Sequence, residues 1–130
     1  MNVLLDTHIA LWAVEDNSRL SRAARDVILD PTVDLFVGIV SLWEIAIKHA
    51  LQRGTEAMPM SAADALQYFQ IAGFDILPVT TSHIVTLEEL PRHHDDPFDR
   101  MLVAMALSEP YRLLTHHKRL GAYGNTVMVV

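Results

Sequence analysis

Short apolar segments alternate with segments of helical spacing along almost the whole of this chain of 130 residues. The apolar segments are largely continuous runs, and they lie at 2–6, 34–39, 74–79, 112–115 and 126–130. Strands that are apolar throughout are typical of a parallel sheet that helices cover on both faces. The pattern therefore predicts an α/β fold with a central, mainly parallel sheet, built as a single domain over residues 1–130.

Helical spacing of apolar residues fills the segments between these strands. It predicts helices over 7–14, 20–29, 41–52, 61–73, 81–90 and 97–108, and a loop over 52–60. Pro97 stands at the favoured first position of its helix, and Pro91 closes the helix before it. In parallel sheets, sites form at the carboxyl ends of the strands, so polar residues just after a strand are the first candidates for function.

Composition limits the classes of protein to consider. The net charge of −6 argues against a protein that coats nucleic acid with a basic surface, but it is compatible with an enzyme acting on RNA or DNA. The chain contains no cysteine, which excludes disulfides and thiolate chemistry. No apolar stretch approaches the roughly 18 residues that a membrane span needs, and no basic segment or cleavage site precedes the first strand. We therefore expect a cytoplasmic protein without a signal peptide and without a membrane partner.

Three carboxylates occupy positions where an acid is costly: Asp6, Glu44 and Asp99. Asp6 ends the apolar run of the first predicted strand, while Glu44 and Asp99 each lie in the first turn of a predicted helix. A carboxylate beside a core costs free energy unless a cation pairs with it, and three that converge resist ionisation. A divalent ion resolves both problems, and carboxylate oxygens suit Mg²⁺ or Mn²⁺. The pattern predicts that these acids form a metal site at one edge of the sheet.

Two of these acids also have a purely structural interpretation. Asp6 is placed to cap the helix that begins at Thr7. The segment Ser41-Leu42-Trp43-Glu44 matches a capping box, in which the glutamate bonds back to the serine amide. Lys48 follows Glu44 at the spacing of a helical ion pair. Taken alone, Glu44 is explained as well by structure as by function.

Asp99 has no such structural interpretation. Asp96 is the expected cap of the same helix, so Asp99 is not needed for that role. Helical spacing places Asp99 on the inward face with Leu102, Val103 and Ala106, where an acid needs a partner.

Seven histidines raise the alternative of a zinc site. They include the adjacent pairs His93-His94 and His116-His117. Neighbouring residues rarely direct both rings at one ion, and the i, i+4 histidine pair of a helical zinc site is missing. The sequence therefore argues against dedicated zinc binding.

Three segments, in order along the chain, resemble the motifs of a known family: LLDTHIALW, SLWEIAIK and LPRHHDDPFDRMLVAMA. They are similar to PIN-domain ribonucleases, and more narrowly to the VapC-type toxins of bacterial toxin–antitoxin pairs. The resemblance extends from Leu4 to about Tyr123 and implies a PIN-like three-layer α/β/α sandwich. The acidic positions of the family fall on Asp6, Glu44 and Asp99, which it implies as catalytic residues and metal ligands.

The resemblance has one departure. The histidine that precedes DPFDR in the family falls on His94, but the T-x-D segment of the family reads Thr115-His116-His117 here. His117 thus stands where an aspartate is expected, which puts the second metal position in question. An alternative function follows from this departure, namely a catalytically weakened PIN-like module that binds without cleaving.

The implied activity is that of a Mg²⁺-dependent endoribonuclease, with Mn²⁺ as the alternative ion. One or two ions would activate water and stabilise the charge that develops on the phosphate during hydrolysis. Thr7 and Thr115 are expected to orient the carboxylates. Lys48, Arg100 and His94 are candidate contacts to the RNA phosphate.

The resemblance also implies partners. Besides the RNA substrate, we expect a cognate small antitoxin protein that directs a basic side chain at Asp6 and Asp99 and competes with the metal. We further expect a homodimer, for which Trp12, Leu42 and Trp43 are candidate contacts, although a place in the core explains these residues equally well.

Overall fold

Five strands form one parallel sheet in the computed structural model, which describes residues 1–51 and 58–130. The predicted loop 52–60 thus lies largely outside the described residues. The strands are β1 (Asn2–Leu5), β2 (Asp34–Gly38), β3 (Asp75–Leu77), β4 (Arg112–Thr115) and β5 (Val127–Val129). Their order across the sheet is β3-β2-β1-β4-β5, and every pairing is parallel. The predicted α/β fold is confirmed.

Helices connect the strands in the described parts of the chain. They are α1 (Thr7–Glu15), α2 (Arg22–Leu29), α3 (Ile39–Leu51), α4 (Ala62–Ile71), α5 (Thr81–Glu89) and α6 (Pro97–Ser108), with a 3₁₀ helix at Lys118–Tyr123. Asp6, Ser21, Ser61, Thr80 and Asp96 cap α1, α2, α4, α5 and α6 through their side chains. None of the helices in residues 1–51 and 58–130 has the length and apolar character needed to cross a bilayer.

The start of α3 differs from the prediction. The helix begins at Ile39, directly after β2, so Ser41 does not open it and Glu44 does not lie in its first turn. Ser41 is fully buried, and its hydroxyl oxygen lies 2.9 Å from that of Thr7. The predicted capping box is therefore wrong, because the serine hydroxyl makes a tertiary contact instead of satisfying a helix end.

The sheet has a hydrophobic core on each face. Val3 and Leu5 of β1 point to one face, where they pack with α1, α3 and α4, while Leu4 points to the other, where it packs with α6. This alternation follows from the two-residue period of a strand. The three layers explain why the strands are apolar throughout, since both of their faces are buried.

The strand order places a crevice between β1 and β4. From β1 the chain proceeds to β2 and β3 on one side, then crosses over to β4 and β5 on the other. At such a point the connections leave in opposite directions, and the carboxyl ends of the two strands are open to ligands. Asp6 lies at this point, and its amide donates to the Leu114 carbonyl at 3.0 Å.

Candidate metal-binding active site

Asp6 is the most buried acid of the crevice, with 1% of its surface exposed. Its Oδ1 accepts from the Ile9 amide at 2.8 Å, which caps α1, and its Oδ2 accepts from the Thr115 hydroxyl. The structural interpretation of Asp6 as a cap is thus confirmed. It does not exclude a metal-binding role, because the cap uses one oxygen and leaves lone pairs on both.

Glu44 reaches the same crevice from the second turn of α3. Its Oε1 accepts from the Thr7 hydroxyl at 2.6 Å, and its Oε2 lies 2.7 Å from Lys48 Nζ. The predicted ion pair with Lys48 is therefore confirmed. So is the expectation that Thr7 and Thr115 orient carboxylates, since each donates to one of the acids.

Asp99 lies in the first turn of α6, with 7% of its surface exposed. Asp96 caps the helix by accepting from the Phe98 and Asp99 amides, as predicted. The side chain of Asp99 is therefore left to face the crevice. Its Oδ2 lies 3.0 Å from His94 Nε2 and 3.8 Å from His117 Nε2.

His116 and His117 form the wall of the crevice directly after β4. One carboxylate oxygen of Asp6 and one ring nitrogen of each histidine all lie within 4.8 Å of one another. Contrary to what is usual for neighbouring residues, each ring of this pair brings one nitrogen near the same carboxylate. The two residues lie in a bend after the strand, where successive side chains are not forced to opposite faces.

His116 was missed by sequence reasoning as a residue of the site. The signal that singled out Asp6, a polar residue just after an apolar strand, applies equally to the residues that follow Thr115. Around His116 lie the rings of Trp12, at 4.7 Å between centroids, and His8, at 5.7 Å.

A cavity of about 200 Å³ opens beside these groups. Its lining includes Glu44, Asp99, His94 and His117, but not Asp6, which lies deeper. Lys48 also lines it. The cavity therefore gives a ligand access to two of the three acids and to one of the two histidines after β4.

Burial dominates the electrostatics of the acids. It raises the pKa of Asp6 from 3.8 to about 6, against the hydrogen bonds from Thr115 and Ile9, and the charge of Asp99 adds to the rise. Burial also raises the pKa of Asp99, followed by the charge of Asp96 and, more weakly, that of Glu44. Each acid therefore makes its neighbour harder to ionise.

The pKa values of two histidines, His116 and His8, shift in the opposite direction. Burial lowers the pKa of His116 to about 4, assisted by its neighbours His117 and His8, and burial likewise lowers the pKa of His8. Near pH 7 these two rings are neutral, so their nitrogen lone pairs are available to a cation.

The residues fit a bound divalent cation. Two buried carboxylates resist ionisation, and a positive ion between them removes that cost. The Nδ1 atom of His116 is also buried without a hydrogen-bond partner among the described residues. Among the described residues, the group of donors that lie within 4.8 Å of one another consists of Asp6, His116 and His117, and it does not include Glu44 or Asp99.

Arg100 has another role than the one predicted for it. Its guanidinium donates to the Leu87 and Leu90 carbonyls at 3.4 and 3.1 Å, and so fastens α6 to the end of α5. This use of the guanidinium argues against the predicted phosphate contact. His94 contacts Asp99, and its predicted contact to phosphate stays a prediction.

Known proteins resemble this chain both in sequence and in fold. The sequence profile of the PIN domain matches residues 3–125. Ribonuclease VapC22 from Mycobacterium tuberculosis (strain ATCC 25618 / H37Rv) is 31% identical to this chain over 124 residues, which are 93% of this chain and 91% of the relative.

Solved structures resemble the chain over its full length. A chain of VapBC2 from Rickettsia felis, bound to a DNA fragment from their promoter, gives a TM-score of 0.67 at 12% identity and covers 100% of this chain and 98% of its own. A chain of a toxin-antitoxin complex from Klebsiella pneumoniae gives a TM-score of 0.66 at 15% identity. The match covers 98% of this chain and 96% of the Klebsiella chain. At these identities the likeness shows the fold alone. The fold, the profile and the relative together establish that this chain belongs to the PIN-domain family.

Proposed function

We propose that this chain is a divalent-metal-dependent endoribonuclease and the toxin of a toxin–antitoxin pair, with Asp6, Glu44 and Asp99 holding Mg²⁺ or Mn²⁺. The observation that supports the proposal is the burial of all three acids, of which Glu44 and Asp99 line one cavity and Asp6 lies near enough to Asp99 for their charges to interact. The ribonuclease at 31% identity supports RNA as the substrate.

The chain's own residues hold each acid in place. Thr115 and the Ile9 amide fix Asp6, Thr7 and Lys48 fix Glu44, and His94 contacts Asp99. A bound divalent ion supplies an acidified water and stabilises the charge that develops on the phosphate. Fixed carboxylates need no rearrangement when the reaction begins, which is the main requirement for electrostatic stabilisation.

The charge of the crevice explains why a cation is needed before RNA binds. The acids that line the cavity, Glu44, Asp96 and Asp99, repel a phosphodiester, and the net charge of −6 adds to this repulsion. A cation on the acids reverses the local sign. Lys48, which lines the same cavity, adds a positive charge where the phosphate would enter.

The test is cleavage by the purified chain of a single-stranded RNA, and of a DNA of the same sequence. We expect RNA to be cut when Mg²⁺ or Mn²⁺ is present and to remain intact in EDTA, with DNA left uncut. Cleavage that persists in EDTA, or that is equal for DNA, would overturn the proposal.

A second candidate function is the catalytically weakened module that binds without cleaving. It is favoured by His117, which stands where the family has an acid and faces Asp99 at 3.8 Å. The same assay decides between the two, because the weakened module predicts retention of RNA on the chain with no cleavage at any metal concentration.

An antitoxin is the partner that the site favours most. The structural neighbour from Klebsiella pneumoniae is a toxin–antitoxin complex. An arginine side chain forms two hydrogen bonds to a carboxylate, and so neutralises Asp99 without a metal ion. We therefore propose that a small antitoxin inserts such a side chain into the cavity.

The proposed homodimer now has one principal candidate contact. Trp12 and Leu42 pack against the core cluster of the first face, whereas Trp43 is 61% exposed and lies 5.2 Å from Phe98 between ring centroids. If the dimer uses this surface, Trp43→Ser lowers the mass measured by sedimentation equilibrium to that of a single chain. An unchanged dimer mass would exclude Trp43 from the interface.

A further inference from the structure

Two histidines and one aspartate stand together at the carboxyl ends of β1 and β4. Their donor atoms lie within 4.8 Å of one another, and His116 Nδ1 lies 3.9 Å from Asp6 Oδ2. The rings of His116 and His117 are 4.1 Å apart between centroids. The donor atoms of all three side chains therefore lie around the same small volume.

Hydrogen bonds fix the positions of these residues relative to one another. The Asp6 amide donates to Leu114, and the His117 amide donates to the Thr115 hydroxyl, which in turn donates to the Asp6 carboxylate. The strand ends that carry the donors are thus tied together before any ion arrives. Such prior order lowers the cost of assembling a site.

We propose that Asp6, His116 and His117 form a site for a first-row transition-metal ion of the Zn²⁺ class, which this chain binds in preference to Mg²⁺. Two imidazoles and one carboxylate are the donor set of open zinc sites and of related transition-metal sites, whereas Mg²⁺ favours oxygen ligands. With two nitrogen donors and one carboxylate, this group favours the Zn²⁺ class over Mg²⁺.

The unpartnered Nδ1 of His116 supports this assignment independently of the family's acids. A buried ring nitrogen without a hydrogen bond among the described residues costs free energy, and a metal ion is one group that would satisfy it. Ligands lie about 2 Å from a zinc ion, so the rings must rotate slightly toward Asp6 on binding. Their exposed fractions of 33% leave room for that rotation.

This inference deepens the proposed function, because the site shares Asp6 with the proposed Mg²⁺ site. An ion of the Zn²⁺ class bound there would either keep the activating ion from binding or take over its role in cleavage. Metal supply would then regulate the same crevice. Binding itself can be measured whether or not the chain cleaves RNA, so the two proposals fail separately.

The test is calorimetric titration of the full, metal-free chain with Zn²⁺ and, separately, with Mg²⁺. We expect one Zn²⁺ per chain, bound at least about tenfold more tightly than Mg²⁺. Co²⁺ serves as a second probe, since binding to nitrogen and oxygen donors gives it a visible absorption band. Equal affinity for Zn²⁺ and Mg²⁺, or no Co²⁺ band, would overturn the proposal.

Substitutions distinguish Zn²⁺ binding at this site from Zn²⁺ binding to other histidines of the chain. His116→Gln is expected to weaken Zn²⁺ binding by about tenfold or more, while His117→Asp is expected to weaken Zn²⁺ and strengthen Mg²⁺ in the same protein. His93→Ala is the matched control, because its ring packs on Tyr123 outside the group.

If these substitutions acted only by disturbing the fold, they would weaken the binding of Zn²⁺ and of Mg²⁺ together. Far-ultraviolet circular dichroism and the melting temperature check that each variant is folded, and His117→Asn replaces His117→Asp should the latter not fold. If His93→Ala lowers the Zn²⁺ affinity as much as His116→Gln does, the assignment is wrong.

Discussion

The three acids differ in their partners, and these differences predict how much each substitution should matter. Glu44 already pairs with Lys48 at 2.7 Å and accepts from Thr7. Asp99 faces only histidines in its described ion pairs, and burial raises its pKa. A bound cation therefore relieves more electrostatic cost at Asp99 than at Glu44.

Asp99→Asn is accordingly expected to abolish metal-dependent cleavage, whereas Glu44→Gln should leave a measurable fraction. Initial rates on one RNA, at saturating Mn²⁺, check this order. Asp95→Asn is the matched control, because Asp95 lies in the adjacent loop with 91% of its side chain exposed, and it should retain the wild-type rate. A larger loss in Glu44→Gln than in Asp99→Asn would contradict the assignment.

The raised pKa of Asp6 predicts how stability depends on pH in the metal-free chain. The folded state holds a proton up to about pH 6, while the unfolded chain releases it near 3.8, so stability is lost as the pH rises through this window. A rise from 3.8 to about 6 corresponds to about 3 kcal/mol. Asp6→Asn removes this dependence and keeps a capping oxygen.

The measurement is urea unfolding of both proteins in EDTA at about pH 4 and about pH 7. Relative to wild type, Asp6→Asn should become more stable at the higher pH by up to the amount given above. A difference in the free energy of unfolding that stays constant with pH would show that the carboxyl group is not strained by burial.

At the scale of elements, the start of α6 determines where Asp99 points. Asp96 accepts two amide hydrogen bonds, and Pro97 fixes the first turn, so the side chain three residues after the cap is directed into the crevice. The cap also has an electrostatic cost, because the charge of Asp96 is the second cause of the raised pKa of Asp99.

Asp96→Ala and Asp96→Asn separate these two effects. The alanine variant loses the cap and should be less stable by about 1 kcal/mol. The asparagine variant keeps an acceptor and loses only the charge, so its stability should stay close to wild type. Chemical denaturation at neutral pH compares them, and an equal loss in both variants would mean that the charge, and not the hydrogen bonds, stabilises the helix.

The helices also show which structural features could be predicted from the sequence and which could not. Asp96 and Pro97 act within one turn of the chain, so local rules located α6 and its cap correctly. The start of α3 was misplaced because Ser41 is used by Thr7, a partner far away in sequence. His116 was missed because a bend after a strand has no regular period from which its direction could be deduced.

At the scale of the whole molecule, the strand order brings the site together. Asp6 and Thr115 are adjacent only because β1 and β4 pair in the centre of the sheet. From the ends of the strands, sequence reasoning placed Asp6 and Thr115 at the carboxyl edge of the sheet, but it did not predict which strand pairs with β1. The central position of β1 explains why Asp6 is the most deeply buried of the three acids.

The toxin proposal predicts the effect of the intact chain on a cell. Expression of the wild-type chain alone should arrest bacterial growth, and co-expression of an antitoxin encoded beside it should relieve the arrest. Asp99→Asn, expressed to the same level, should be harmless. Normal growth with abundant, folded wild-type chain would favour the binding module over the toxin.

The central claim is that Asp6 belongs to a metal site on which RNA cleavage depends. The most direct measurement is the rate of RNA cleavage as a function of Mn²⁺ and Mg²⁺ concentration, for wild type, Asp6→Asn and Asp95→Asn. We predict saturable activation by the metal for wild type and Asp95→Asn, and no cleavage by folded Asp6→Asn at any concentration. Wild-type rates in Asp6→Asn at saturating metal would contradict the account.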